Sequence, residues 1–219
     1  MAPPTPSAAL AFARYIASTQ EADPLTDSGY VGLEIEATIP ALYKTAKVLA
    51  VRGTSESERN VYQVLAAEGD AIVAQEIIAR YFLMQDELDG LQSSSVTVTP
   101  ENYKFRYKGA VGTGSSLAYV YEIRPRKKRE GLIQGQLWID SETGTAILET
   151  GRFVKSLASS PGNIDVVRNT ELMEGDARVR VTHLTIETRY AGRGELTITE
   201  IPLVPAQKSL PEYLPLARK

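Results

Sequence analysis

The stretch Val31-Gly-Leu-Glu-Ile-Glu-Ala-Thr-Ile39 decides the class of fold. Its odd positions, Val31, Leu33, Ile35, Ala37 and Ile39, are apolar, and the even positions between them are Gly, Glu or Thr. Successive side chains of a strand point to opposite sides of its sheet. An apolar period of two held over this length therefore predicts a β-strand with one buried and one wet face. Glu34 and Glu36 share the wet face, too close together for a carboxylate pair acting across a glycosidic bond.

Beyond this strand, two more are predicted at Lys44 to Arg52 and Asn60 to Ala67. Gly69-Asp70 then opens a helix from about Ala71 to Leu88. Val73, Ile77, Tyr81 and Met84 form one apolar row, with Ala74, Ile78 and Phe82 in the next, a stripe wide enough to demand a large partner surface. Gly90 stands where a helix-ending glycine belongs. Upstream, Ser7 is the expected N-cap of a helix reaching Gln20, with Ala8, Phe12, Tyr15 and Ile16 on one face and Asp23-Pro24 as its stop.

From Ser94 to Ile201 the chain reads as strands separated by turn signals: Gly112-Thr-Gly-Ser115, Asp140-Ser-Glu-Thr-Gly144, Glu174-Gly-Asp176 and Ala191-Gly-Arg-Gly194. Within Val179 to Arg189 the apolar phase slips, from Val179 and Val181 to Leu184 and Ile186, which predicts a β-bulge near Thr182-His183. No β-α-β alternation appears, so the class is α+β with an antiparallel sheet of nine or ten strands, and a sheet of that length tends to curl or close. No composition break divides the chain. It reads as one domain over 1–219, with residues 1–6 a flexible lead and 202–219 an extended tail.

Composition narrows the functional classes. A net charge of −3 gives no general attraction to nucleic acid or to an anionic membrane. No run of ~18 apolar residues is present, so no transmembrane helix is predicted. The chain has no cysteine and a single histidine, His183, placed mid-strand. Thiolate chemistry is thereby excluded, and zinc or triad chemistry is left without a ligand set. Gly112-Thr-Gly-Ser-Ser-Leu117 lacks the third glycine of a dinucleotide loop, and Asp140 to Gly144 misses the calcium-loop pattern, so both read as turns. The basic run Arg124-Pro-Arg-Lys-Lys-Arg129 could hold anionic headgroups or nucleic acid, but it falls between two predicted strands, with Pro125 inside it and no flanking aromatic platform, and so reads as a wet hairpin loop. No catalytic residue, metal site or cofactor is predicted.

Tyr121-Glu-Ile-Arg-Pro125, the charged loop after it, Gly135-Gln-Leu-Trp-Ile-Asp140 and the following Thr-Gly turn resemble the LolA-like outer-membrane lipoprotein-sorting proteins. Val61 to Asp70 and Thr182 to Arg189 are compatible with that pattern. The resemblance implies a strongly curved antiparallel sheet, an incomplete β-barrel covered by two helices, in a periplasmic protein whose precursor carries a signal peptide. It implies a non-catalytic role, binding a lipid-like or acylated ligand in an apolar cavity. The inward-facing arginine of true carriers has no match in the pattern. By alternation, the expected lining is Leu33, Ile35, Tyr121, Ile123, Leu137, Ile139, Leu184 and Ile186, with Ile77, Tyr81 and Met84 from the lid helix. The alternative is a cell-envelope interaction domain with a filled core, whose partners are envelope proteins.

Overall fold

A computed structural model of the chain describes residues 4–20, 25, 29–54, 59–160, 162–172, 178–188 and 192–203. Helix α1 (Pro6–Ser18) comes first, followed by β1 (Tyr30–Ile39), β2 (Lys44–Thr54) and β3 (Asn60–Gly69). A continuous helical run follows, Ala71–Val73, Ala74–Ile78 and Ala79–Asp89, here called α2; its middle piece is π-helical. The remaining strands are β4 (Tyr103–Val111), β5 (Ala118–Pro125), β6 (Ile133–Asp140), β7 (Ala146–Phe153), β8 (Ile164–Leu172), β9 (Arg178–Glu187) and β10 (Arg193–Pro202).

All ten strands belong to one antiparallel sheet, in the order β3-β2-β1-β10-β9-β8-β7-β6-β5-β4. The protein is therefore α+β, with a sheet that does not close, since β3 and β4 remain its edges. Strand β1 alternates as its sequence demands, with Val31, Leu33, Ile35, Ala37 and Ile39 buried. Glu34 and Glu36 sit on its other face, where both hold Lys47.

Register fixes which residues share a face across the whole sheet. One row runs Gly69, Ala46, Ala37, Leu196, Leu184, Val166, Gly151, Gly135, Ile123, Phe105, one residue from each strand. Both helices lie on that side. From α1, Phe12 packs edge-on against Phe105, its ring 4.9 Å away, and Tyr121 donates a hydrogen bond to the Ala8 carbonyl at 3.0 Å. Gly144 (φ +76°) lets α1 come this close, because a Cβ there would stand 2.5 Å from Arg14 Cβ.

Helix α2 must cross the sheet, because it connects strands at opposite edges. The Asp70 carboxylate caps it, accepting from the N–H groups of Ile72 and Val73 at 2.9 and 3.4 Å. It then buries Val73, Ile77, Ile78, Tyr81 and Met84 over β1, β2 and β10. Gly194 of β10 makes room for it, since a Cβ at that position would fall 2.2 Å from Ile77 Cδ1.

Several sequence expectations are corrected. Thr5, rather than Ser7, caps α1, its hydroxyl accepting from Ala8 N–H at 3.2 Å. No bulge interrupts β9, whose register with β8 and β10 is unbroken. The phase slip is instead a change in what the covered face carries: Ile186 and Leu184 give way to Thr182, Arg180 and Arg178 on that same face. Register shifts occur elsewhere, between β2 and β3, β4 and β5, and β6 and β7. The lead starts to be helical at Pro6 and strand β10 extends to Pro202. The turn at 174–176 and the tail from 204 lie outside the described residues.

Candidate functional site

All eleven residues expected to line a cavity face the helix-covered side, and all eleven are buried in the hydrophobic core. Leu33 and Ile35 lie on β1 under α2, and Tyr121 reaches α1 through its hydrogen bond to the Ala8 carbonyl and its ring contact with Phe12. None of them lines the open cleft of the molecule. Alternation identified the correct face, but the two helices fill the places where those residues stand.

The cleft lies between the helices. Helix α1 covers the end of the sheet toward β4 to β6, and α2 covers β1, β2 and β10; among the described residues no helix lies over the part of β7, β8 and β9 that carries Glu149, Arg168, Thr170, Arg178 and Arg180. The space left has a volume of about 520 Å³. Leu88 from the end of α2, Val96 and Val98 from the connection to β4, and Ile133, Phe153 and Val166 from the strands form an apolar wall. Tyr15, Ser18 and Thr19 at the end of α1 form a second side. A larger depression, about 650 Å³, lies at the ends of β1, β2 and β10, but Glu36, Lys47, Glu68 and Glu195 rim it and no apolar wall encloses it.

The floor of the cleft is charged. Glu149, Arg168, Thr170, Arg178 and Arg180 project from β7, β8 and β9 onto the face that elsewhere carries leucine and isoleucine. Arg168 and Glu149 stand opposite each other in register and form an ion pair at 2.8 Å. On the α2 side, the almost fully buried Glu200 carboxylate accepts from Arg52 at 2.7 Å and faces Arg180 at 3.8 Å. A carboxylate shared by two guanidiniums compensates charges that burial would otherwise penalise by several kcal/mol. Among the described residues, Arg52, Arg168, Arg178 and Arg180 share this part of the covered face with Glu149 and Glu200.

Two tyrosines join this floor to its walls. Burial, with the nearby Glu149 adding to it, pushes the Tyr15 phenol far above its ordinary range, and Tyr15 donates to the Val98 carbonyl at 2.9 Å. The Tyr103 phenol is pushed up to about 12, chiefly by burial, and accepts from the Ile133 N–H at 3.1 Å. Both are neutral hydrogen-bonding groups at physiological pH. They tie α1 and β4 to the cleft wall.

The pattern missed Glu149, Arg168, Arg178 and Arg180. A signal existed: Arg168 has the parity of Ile164 and Val166, and Arg180 that of Leu184 and Ile186. The expectation of an apolar inner face turned this signal into a bulge. His183 is exposed on the uncovered face, with Nδ1 3.0 Å from Thr197 Oγ1. Asp140 closes a turn, its carboxylate accepting from Glu142 N–H, Thr143 N–H and Thr143 Oγ1. Among the described residues, no three His, Asp or Glu side chains gather in a way that could hold a metal ion, and no helix is long and apolar enough to cross a membrane. No protein-family model matches the chain, and no curated protein matches its sequence.

Proposed function

We propose that the chain is a non-catalytic periplasmic binding protein of LolA-like type, which holds a lipid-like or acylated ligand in the cleft between α1 and α2. The observation that carries this reading is the pairing of an apolar wall, Leu88, Val96, Val98, Phe153 and Val166, with an arginine-bearing floor. Such a cleft suits an amphiphile with one acyl chain and an anionic head. A volume of about 520 Å³ falls within the range of sites that bind small molecules. Each buried methylene contributes about 0.8 kcal/mol, and a carboxylate or phosphate on Arg178 adds a charge-assisted hydrogen bond. Register shifts in three strand pairs and the opposed glycines Gly135 and Gly151 are devices that bend strands, and on this reading the sheet curls as an incomplete barrel around its helices.

The test is titration with a fluorescent fatty acid, with Val96→Glu placing a charge in the wall and Arg178→Gln removing one from the floor. Val96 is partly buried against the core and Arg178 stands outside it, so a thermal unfolding scan of each variant separates loss of binding from loss of fold. The expected result is saturable binding, lost in Val96→Glu. In Arg178→Gln, preference for the acid over the matching alcohol should be reduced. Absence of saturable binding would overturn the proposal and leave the interaction-domain reading, which the packing of all eleven expected lining residues favours.

A further inference from the structure

We propose that the β4–β5 end of the open sheet face is a docking surface for an anionic phospholipid bilayer. Strand β4 alternates Tyr103, Phe105 and Tyr107 on the covered side with Lys104, Arg106 and Lys108 exposed on the other. Register places Lys104 opposite Arg124 and Arg106 opposite Glu122. The run ending at Arg129 therefore continues a basic row on the sheet, and its cations belong to more than a loop. Eight of the chain's 24 basic residues lie here, at Lys104, Arg106, Lys108 and between Arg124 and Arg129.

Among the described residues, three carboxylates reach this end. Glu122 is shared by Arg106, Lys108 and Arg124; Glu130 holds Lys155; and Glu101 lies beside Arg126. Eight cations against three carboxylates leave the end at +5 while the whole chain is −3, so the remainder stands at −8. Arg126 and Arg129 are held against backbone carbonyls, donating to Pro100 O at 2.7 Å and Ser95 O at 3.2 Å, which fixes their positions without neutralising them.

The surface chemistry favours a bilayer over a nucleic acid. The aromatic side chains of β4 point into the core, so no stacking platform interleaves with the cations, as single-stranded nucleic acid requires. Trp138, the only tryptophan, lies half-buried on the same open face of β6 and ties its ring nitrogen to Gln136 at 3.1 Å. An amphipathic indole on the same open face as these lysines and arginines, opposite Val120 in register, fits the headgroup region, where both residue types are favourable. The loop also leads into Gly131 and Ile133, which line the cleft on the other side of the sheet. The proposal stands whatever the cleft holds.

Trp138 supplies the assay. Vesicles of equal parts phosphatidylglycerol and phosphatidylcholine should co-sediment the protein and shift its emission to the blue, while pure phosphatidylcholine should do neither. About 0.5 M salt should abolish the effect, since screening then acts within a few ångströms. The variant Lys104→Gln/Lys127→Gln/Lys128→Gln should bind roughly 100-fold more weakly, at about a factor of five per cation. Lys44→Gln/Arg14→Gln/Arg193→Gln, which removes the same net charge elsewhere, should bind like the wild type. Equal losses in both triple variants, binding to phosphatidylcholine alone, or a short oligonucleotide bound more tightly than the vesicles would each overturn the proposal. A thermal unfolding scan of both variants separates loss of binding from loss of fold.

Discussion

Gly135 and Gly151 face each other across β6 and β7 on the covered side, in a row otherwise made mostly of leucine, isoleucine, valine and alanine. An alanine Cβ at Gly135 would stand 1.8 Å from the Thr150 carbonyl oxygen and 2.5 Å from Gly151 Cα, and backbone cannot step aside as a side chain can. Gly135→Ala should therefore destabilise the fold by about 2–3 kcal/mol, the upper range of overpacking. At Gly32 of β1 the nearest atom to an added Cβ is the side-chain Leu203 Cδ2, at 3.3 Å. Gly32→Ala should stay within about 0.5 kcal/mol of wild type, as ordinary surface changes do. Urea unfolding of both variants checks the contrast. Neither outcome is visible in the sequence, because two glycines sixteen positions apart say nothing until register sets them face to face.

At the scale of elements, Glu87 ties α2 to the far strands. Its carboxylate accepts from the Ala158 N–H at 2.8 Å, the Ser159 N–H at 3.1 Å and the Ser159 hydroxyl at 2.9 Å, so it satisfies the turn between β7 and β8. Partial burial works against the charge, but these donors outweigh it and hold the carboxyl below its usual range. A depressed folded-state value stabilises above the unfolded value of about 4.3 and is lost as pH falls through the folded one. Glu87→Gln should cost about 1–2 kcal/mol near neutrality. The gap to wild type should close as pH drops below about 4, and thermal melts from pH 7 to pH 3 read it directly. A gap independent of pH would mean that packing, rather than the carboxylate, holds the turn. The same scale shows what the sequence made legible. Strands with one apolar face, such as β1, and helices with wide stripes, such as α2, were read with nearly their observed bounds, because burial writes its period into them. The charged half of β9 carries no apolar period, since no helix among the described residues lies over it and its arginines line the cleft. The single turn Ser93–Val96 was not expected at all, its serines giving no periodic signal.

For the whole molecule, topology determines where a ligand could enter. Because β3 and β4 are opposite edges, the chain between them has to run over the covered face, and α2 performs that crossing on the β1, β2 and β10 side. Helix α1, arriving from the other end of the sequence, covers the β4 to β6 side. Two helices placed from opposite directions leave their shared gap over β7 to β9, where Arg168, Arg178 and Arg180 stand. An acyl ligand seated in that gap would touch α1, α2 and the sheet at once, and so would stabilise only the folded chain. At a free concentration a hundred times its Kd, a ligand adds about 2.7 kcal/mol to folding. For a domain of this size that corresponds to a rise in Tm of about 5–10 °C. Long-chain fatty acids should produce that rise in the wild type and in Gly32→Ala, but not in Val96→Glu. If no acyl acid moves the melt while anionic vesicles still shift Trp138, the cleft is a seam between packed helices, and the basic open face is the working surface of the protein.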